Sequence, residues 1–563
     1  MERSDAIRSP RRASTLAFCA LLLVPVAASR AATPPGDTRP RLVLFVSVDQ
    51  MWFDYLDRFA AQYTGGLKRL REEGAVFTRA YYRHANSETG PGHALLLSGR
   101  HARDNGIVAN AWYDRTSGAL VNVVGDPLVA PLPGPGRGAS PANFTGATVG
   151  DLLKRASPGS RVVGVAGKDR SAILLAGPRA DAAYWYEPAA GVFGSSTYYM
   201  KMLPPWLAEW NATRPIDALA GRSWTRLLDA PVYEATAGPD DVRGEWDNVD
   251  RVFPHRLRGE GGKTELWDDV RRTPFVDELT LEVALRALEG HDLGADDATD
   301  LLAVGFSATD GIGHTYGPDS QEIMDQLIRL DRMLGRLLDA AEAKAGRDRL
   351  VVALSADHSS MPLVEVLQAK GLPARRVAPK VLRDAVTAAL GARFPQAGPL
   401  VLSWDDPNVY LDLEQIARAG LKRTEVEAVV KQALLSTGVV ARVYTAEDLL
   451  GDPPADDPDF ALFRNSFFEP RSPQVIARLE RYVYLDDRVG GTGHGTVQDY
   501  DRHVPVVFRG PGFAKGRHDA PSGPQDIAPT LCALLGLPYR VETGQRVLAE
   551  ALAPSEARTA GAR

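Results

Sequence analysis

The chain has 563 residues, 44% hydrophobic and 24% charged, the proportions of a globular protein with a large core. A formal charge of −6 over that length leaves no basic footprint for nucleic acid or for an anionic membrane surface. The two cysteines are Cys19, which falls in a leader, and Cys532; the mature chain is therefore expected to have no internal disulfide. Cys532 sits in the apolar stretch 527–537 and reads as a buried core thiol.

Residues 1–31 read as a secretory signal peptide. Arg8, Arg11 and Arg12 precede the apolar run 16–28, and Ser29-Arg30-Ala31 follows it. The run falls short of the roughly 20 residues that span a bilayer. No later segment is apolar enough to do so, and the mature chain is expected in the periplasm or secreted, without a membrane span. A Pro/Gly-rich linker, 32–40, leads into the main body, 41–550, and 551–563 reads as a C-terminal tail.

The body opens with Leu42–Val48, a continuous apolar, β-rich run that ends at Asp49. Such runs suit strands buried on both faces of a parallel sheet. Similar runs recur at 161–166, leading to Gly167-Lys168; at 301–306, leading to Thr309-Asp310; at 350–354, leading to Asp357-His358; and at 504–508. Between them lie helical patterns such as 322–343, with Leu327, Leu330, Leu334 and Leu338 on one face. The alternation predicts an α/β sandwich with a mainly parallel central sheet flanked by helices. Two stretches interrupt it: about 184–263, rich in Trp, Pro and Gly, is expected to be an inserted cap, and about 375–480 a less regular insertion. The acidic patches Asp240-Asp241 and 452–459 lack EF-hand spacing and read as solvated loops.

In open α/β sheets, ligands bind beyond the carboxyl ends of the strands. Asp49, Asp310, Asp357 and His358 each follow a predicted strand at that end. Asp310 and His314 are four residues apart, so one helical turn brings both to one face, a spacing that suits a single metal. His494 lies between two glycines, where backbone can approach closely. Three histidines joined to three aspartates suit zinc, and two neighbouring metals suit phosphoryl chemistry.

In Asn86-Ser87-Glu88-Thr89-Gly90-Pro91-Gly92-His93, an apolar, helix-like run follows at 94–97. Thr89 then sits at a helix N-terminus, where the dipole favours an alkoxide and free N–H groups suit phosphate. Ser87 is the rival nucleophile. His93 is expected to pack within the helix rather than ligate. Lys168 and Arg170 flank Asp169 and project to one side if the segment stays extended; two cations suit a doubly charged phosphoryl group.

The ordered set Val48-Asp49-Gln50-Met51, Thr89-Gly90-Pro91-Gly92-His93, Gly106-Ile107-Val108-Ala109-Asn110, Lys168-Asp169-Arg170, Asp310-Gly311-Ile312-Gly313-His314, Ala356-Asp357-His358 and Gly493-His494-Gly495-Thr496 resembles the alkaline phosphatase superfamily. The closer resemblance is to its threonine-nucleophile bacterial branch, the PafA-like and PhoK-like enzymes. It covers almost the whole mature chain and implies the alkaline-phosphatase-like fold. It also implies two zinc ions (Zn2+), one held by Asp310, His314 and His494, the other by Asp49, Asp357, His358 and the Thr89 oxygen. Thr89 would form a covalent phospho-threonine, and Asn110, Lys168 and Arg170 would bind the phosphoryl oxygens. Ser359 stands where the family usually has Gly.

The resemblance thus implies a small-molecule phosphate monoesterase, monomeric, that scavenges phosphate. A phosphodiesterase or nucleotide pyrophosphatase of the same superfamily is the alternative, disfavoured because those enzymes lack the Lys-x-Arg element. A sulfatase is excluded because neither cysteine has the Cys-x-Pro/Ala-x-Arg context. An inactive, metal-stabilised binding protein is the reading from another class. The intact nucleophile and six protein ligands argue against it.

Overall fold

The apolar strand runs assemble as their composition requires. In the computed structural model, which describes residues 39–245, 250–258 and 263–554, Leu42–Val48 pairs in parallel with both Asp300–Phe306 and Leu350–Ser355. Val162–Ala166 adds in parallel to Asp300–Phe306, and Ala182–Glu187 in parallel to that. Five further strands, most of them paired antiparallel, extend the sheet on both flanks to ten: Val506–Arg509, Ala75–Phe77 and Gly516–His518 on one side, Val192–Ser196 and Pro131–Leu132 on the other. Ala75–Phe77 and Gly516–His518 pair in parallel.

Every residue of Leu42–Val48 is buried, because helices cover both faces. Successive side chains alternate between two cores. Leu42, Leu44, Val46 and Val48 pack with Leu327, Leu330, Leu334 and Leu338 of the helix Gln321–Ala345. Val43 and Phe45 face the opposite core, with Ile527, Leu531 and Cys532 of the helix Ile527–Leu535. Cys532 is a free, buried thiol whose pKa burial pushes up to about 12.

The expected cap differs in extent. Residues 184–196 belong to the large sheet, in Ala182–Glu187 and Val192–Ser196, so the irregular stretch starts later. It shares the main core through Leu207, Trp210, Trp224 and Tyr233. The stretch at 375–480 is more regular than its sequence suggests. Val401–Asp405, Asn408–Leu411, Val475–Leu479 and Val440–Thr445 form a four-stranded antiparallel sheet, packed by the helices Lys380–Arg393 and Arg423–Ser436 over its own core. The body also runs past 550: Ala551 is buried, and Ala553 N–H donates to Gly512 O at 2.8 Å. The signal peptide at 1–31, the linker up to residue 38 and the tail beyond 554 lie outside the described residues. Among the described residues no helix is long and apolar enough to cross a membrane.

The helix Ala308–Tyr316, which carries Asp310 and His314, starts on a carboxylate borrowed from elsewhere. Ser307 N–H and Ala308 N–H donate to Asp277 Oδ1 at 2.7 and 2.9 Å, and Gln326 Nε2 donates to its Oδ2 at 2.7 Å. Asp277 belongs to the helix Phe275–Gly290 and is fully buried, which pushes its carboxyl up to about 7. Asp277→Ala strands two buried N–H groups. At pH 8, where the carboxylate is ionised, the loss of stability should be about 2–4 kcal/mol, read as a lower denaturant midpoint. An unchanged midpoint would show that the helix starts without this cap.

Candidate active site

The carboxyl ends of the parallel strands bring the expected residues together. Asp49 follows Leu42–Val48, Lys168 follows Val162–Ala166, Asp310 lies in the helix after Asp300–Phe306, and Asp357 and His358 follow Leu350–Ser355. The loop before Val506–Arg509 brings in His494. Asp49, Thr89, Asp357 and His358 are at most 1% exposed and Asp310 is 6% exposed, so the charges meet in a largely dry site.

Thr89 is the first residue of the buried helix Thr89–Leu96. Its Oγ1 lies 3.4 Å from His358 Nε2 and 3.5 Å from Arg170 Nη2. The helix start is held by Asn110, whose Oδ1 accepts from Gly90 N–H at 2.8 Å and whose own N–H donates to Glu88 Oε2 at 2.7 Å. Gly92 permits the approach to the neighbouring strand end: a Cβ there would fall 2.3 Å from the Asp357 carbonyl oxygen. The Ser87 hydroxyl donates to Thr496 O at 3.0 Å. His93 is buried within the helix, its Nδ1 2.9 Å from Thr89 O and 3.1 Å from Asp357 Oδ2.

Two donor groups emerge, Asp49–Asp357–His358 and Asp310–His358–His494, each with ligand atoms within 4.8 Å of one another. The partition implied by the resemblance puts His314 in the second group. In the structure His358 stacks on His494 at 3.6 Å between ring centroids and is common to both, while His314 Nε2 lies 3.2 Å from Asp310 Oδ1. The three imidazoles share one posture. His314 Nδ1 faces Thr492 O at 2.7 Å, His494 Nδ1 faces Ser87 O at 2.7 Å, and His358 Nδ1 faces Ser359 O at 3.1 Å. A carbonyl can only accept, so each Nδ1 carries a proton, and Nε2 is the atom each ring turns toward the carboxylates.

The electrostatics ask for cations. Burial, then the charges of Asp310 and Asp357, push the Asp49 carboxyl well above its usual range. Burial acts in the same direction on Asp310 and Asp357 but is outweighed, by Lys168 and His314 for the first and by His358 and His93 for the second, so both lie well below the usual range. Burial holds His358 well below the usual imidazole range, whereas His314, on which burial acts in the same direction, is raised by Asp310. Among the described residues, neither Asp49 carboxylate oxygen nor Asp357 Oδ2 has a hydrogen bond, though Lys168 Nζ lies 2.5 Å from Asp49 Oδ2 and from Asp310 Oδ2. Buried carboxylate oxygens that carry no hydrogen bond, gathered with imidazole nitrogens of His358 and His494, are a donor set that fits divalent metal ions.

Lys168 and Arg170 reach the site by a route other than an extended strand. Lys168 is extended, but the helix Asp169–Ala176 begins at the next residue. Lys168 then meets the carboxylates and Arg170 meets Thr89. Ser359 is accommodated, its hydroxyl donating to His503 O at 3.0 Å.

Sequence reasoning assigned no role to Gln50. Its backbone is left-handed, at φ 64°, which turns its N–H to Asp357 Oδ1 at 3.1 Å and its Nε2 to Asp310 Oδ1 at 2.8 Å. One residue thereby orients a carboxylate of each donor group. Its only sequence signal is its place directly after Asp49. Gln50→Ala should weaken divalent-metal binding by about 10–100-fold, the usual scale for a residue that orients a ligand, measured by chelator competition. Unchanged affinity would remove Gln50 from that role.

Residues 43–504 match the family described as type I phosphodiesterase / nucleotide pyrophosphatase. The alkaline phosphatase PafA of Elizabethkingia meningoseptica is 31% identical over 519 residues, covering 89% of this chain and 92% of that protein. The alkaline phosphatase PhoK of a Sphingomonas species is 33% identical over 540 residues, covering 91% and 90%. The crystal structure of wild-type PafA matches with a TM-score of 0.85 at 30% identity, covering 93% of this chain and all of that one.

Proposed function

The chain belongs to the type I phosphodiesterase / nucleotide pyrophosphatase family, in its alkaline phosphatase branch, and from that premise we propose that it hydrolyses phosphate monoesters with Thr89 as nucleophile. The observation that carries the reading is the setting of the Thr89 hydroxyl. It sits at a buried helix N-terminus, beside His358 Nε2 and Arg170, where the two carboxylate–imidazole groups meet.

Thr89 Oγ attacks phosphorus in line, the ester alcohol leaves with its oxygen, and a phospho-threonine remains. Water then attacks that phosphorus, releasing phosphate and returning the threonine hydroxyl. Two zinc ions, held by Asp310, His314 and His494 and by Asp49, Asp357, His358 and Thr89, would supply the Lewis acidity that makes a weakly acidic alcohol nucleophilic. Asn110 fixes the helix start through Gly90 N–H and, beside Thr89, would bind a phosphoryl oxygen. Lys168 and Arg170 supply cations on that side, which favours the dianionic group of a monoester over the monoanion of a diester. The basic and apolar pattern of residues 1–31 supports a periplasmic or secreted site of action on small phosphate esters.

Hydrolysis of p-nitrophenyl phosphate should exceed that of its bis-ester, disappear on chelation and return with zinc. A preference for the bis-ester would favour the phosphodiesterase reading instead. Thr89→Ala should lower the monoester rate by about 10³-fold or more, the scale seen when a nucleophile is removed. A Thr89→Ala protein of near-normal activity would end the proposal for Thr89. Lys168→Ala with Arg170→Ala should depress monoester turnover far more than diester turnover, and equal losses would contradict their role.

A further inference from the structure

A cavity of about 740 Å³ opens in front of Asp310, His314 and Lys168. Its two walls are both fastened to the helix Ala308–Tyr316. One wall is the turn that carries Arg271 and Arg272. A Cβ on Gly311 would fall 2.4 Å from Arg271 O and 3.2 Å from Arg272 Cα, so only glycine allows this turn to lie against the helix. The other wall is the loop that carries Arg488. Thr492 N–H donates to His314 O at 3.0 Å while His314 Nδ1 donates to Thr492 O at 2.7 Å, and Arg376 holds Gly491 O at 2.7 Å. Positions so tied to the helix of Asp310 and His314 present their side chains at a fixed place.

Those side chains are cationic. Lys168, Arg170, Arg271, Arg272 and Arg488 line the cavity, against the carboxylates of Asp310 and Asp486. The Arg271 and Arg488 side chains are 47% and 77% exposed, so a ligand can reach both. Arg271 and Arg272 share a single carboxylate, Asp268, and burial, then the charge of Arg272, lower the Arg271 pKa. Guanidinium forks match phosphate and carboxylate geometry. The position of the cavity gives it a role. In-line displacement expels the alcohol on the side opposite Thr89; Thr89 does not line this cavity, whereas Asp310 and His314 do.

We propose that this cavity is a leaving-group subsite, and that the enzyme favours phosphate monoesters whose alcohol carries a second anionic group, a phosphate or a carboxylate. The proposal rests on the phosphomonoesterase reading above and adds a substrate class to it. Arg271 and Arg488 then determine specificity without touching the transferred phosphoryl group.

The test compares kcat/KM for three substrates with related three-carbon leaving groups: glycerol 3-phosphate, 3-phosphoglycerate and glycerol 1,3-bisphosphate. The second and third distinguish a carboxylate from a phosphate as the recognised group. Wild-type enzyme should prefer the anionic leaving groups by about tenfold, the equivalent of one charge-assisted contact. The double variant Arg271→Gln with Arg488→Gln should lose that preference, mainly through KM, with glycerol 3-phosphate unchanged within about twofold. Arg271→Lys with Arg488→Lys should restore part of it. A wild-type enzyme without the preference, or glutamine substitutions that lower all three substrates in proportion, would overturn the subsite while leaving the phosphomonoesterase reading intact. Failure of the wild-type enzyme to hydrolyse glycerol 3-phosphate and p-nitrophenyl phosphate would overturn both.

Discussion

Three aspartates buried within reach of one another set the terms for the rest of this molecule. Asp49, Asp310 and Asp357 are nearly inaccessible to solvent, and like charges in a dry site repel strongly. Lys168, between Asp49 and Asp310, offsets only part of this charge. A fold that depended on nothing else would discard such a cluster, because apolar residues of similar volume would be more stable there. Its retention at the carboxyl edge of five parallel strands makes sense as a cradle for divalent cations beside a hydroxyl.

The surrounding structure is best understood as what holds that cradle open. Each imidazole is anchored through Nδ1 by a main-chain carbonyl, and those carbonyls belong to three separated segments, at Ser87, Ser359 and Thr492. Main-chain anchors cannot be rotated away, so the tautomer and the direction of each Nε2 are fixed by the fold itself. Gln50 does for the carboxylates what these carbonyls do for the imidazoles. Asp277 acts one step further out, starting the helix that carries Asp310 and His314. Rigidity of this kind lets nucleophile and charges meet without rearrangement as the reaction proceeds.

What the sequence reveals follows from which forces are local. Leu42–Val48 is legible because a strand buried on both faces must be apolar throughout, and Asp310 and His314 because helical spacing brings i and i+4 together. His494 carries a weak local signal, two flanking glycines, and gains meaning only alongside distant residues. Gln50 and Asp277 were invisible because their partners lie 260 and 30 residues away. The strands Ala182–Glu187 and Val192–Ser196 hide in an aromatic, glycine-containing stretch whose composition resembles a cap. The four-stranded unit within 375–480 was obscured for a different reason. Val401–Asp405 lies on a sheet edge, half exposed, so its apolar pattern is broken by polar residues.

The charge balance also separates the roles of Lys168 and Arg170. Lys168 Nζ is 2.5 Å from two carboxylates, so most of its field is already committed to Asp49 and Asp310. Arg170 contacts the Thr89 hydroxyl directly, and its carboxylate neighbour, Asp169, is 3.9 Å away and also bound by Arg137 at 2.6 Å. A cation whose charge is less engaged discriminates more sharply between one and two negative charges on a phosphoryl group. Arg170 is therefore the better placed of the two to meet a phosphoryl group, and Lys168 to offset the repulsion between the Asp49 and Asp310 carboxylates. The distinction follows from the way the segment folds. An extended Lys-Asp-Arg would have presented both cations to the same oxygen atoms, whereas the helix starting at Asp169 sends one to the Asp49 and Asp310 carboxylates and the other to the Thr89 hydroxyl.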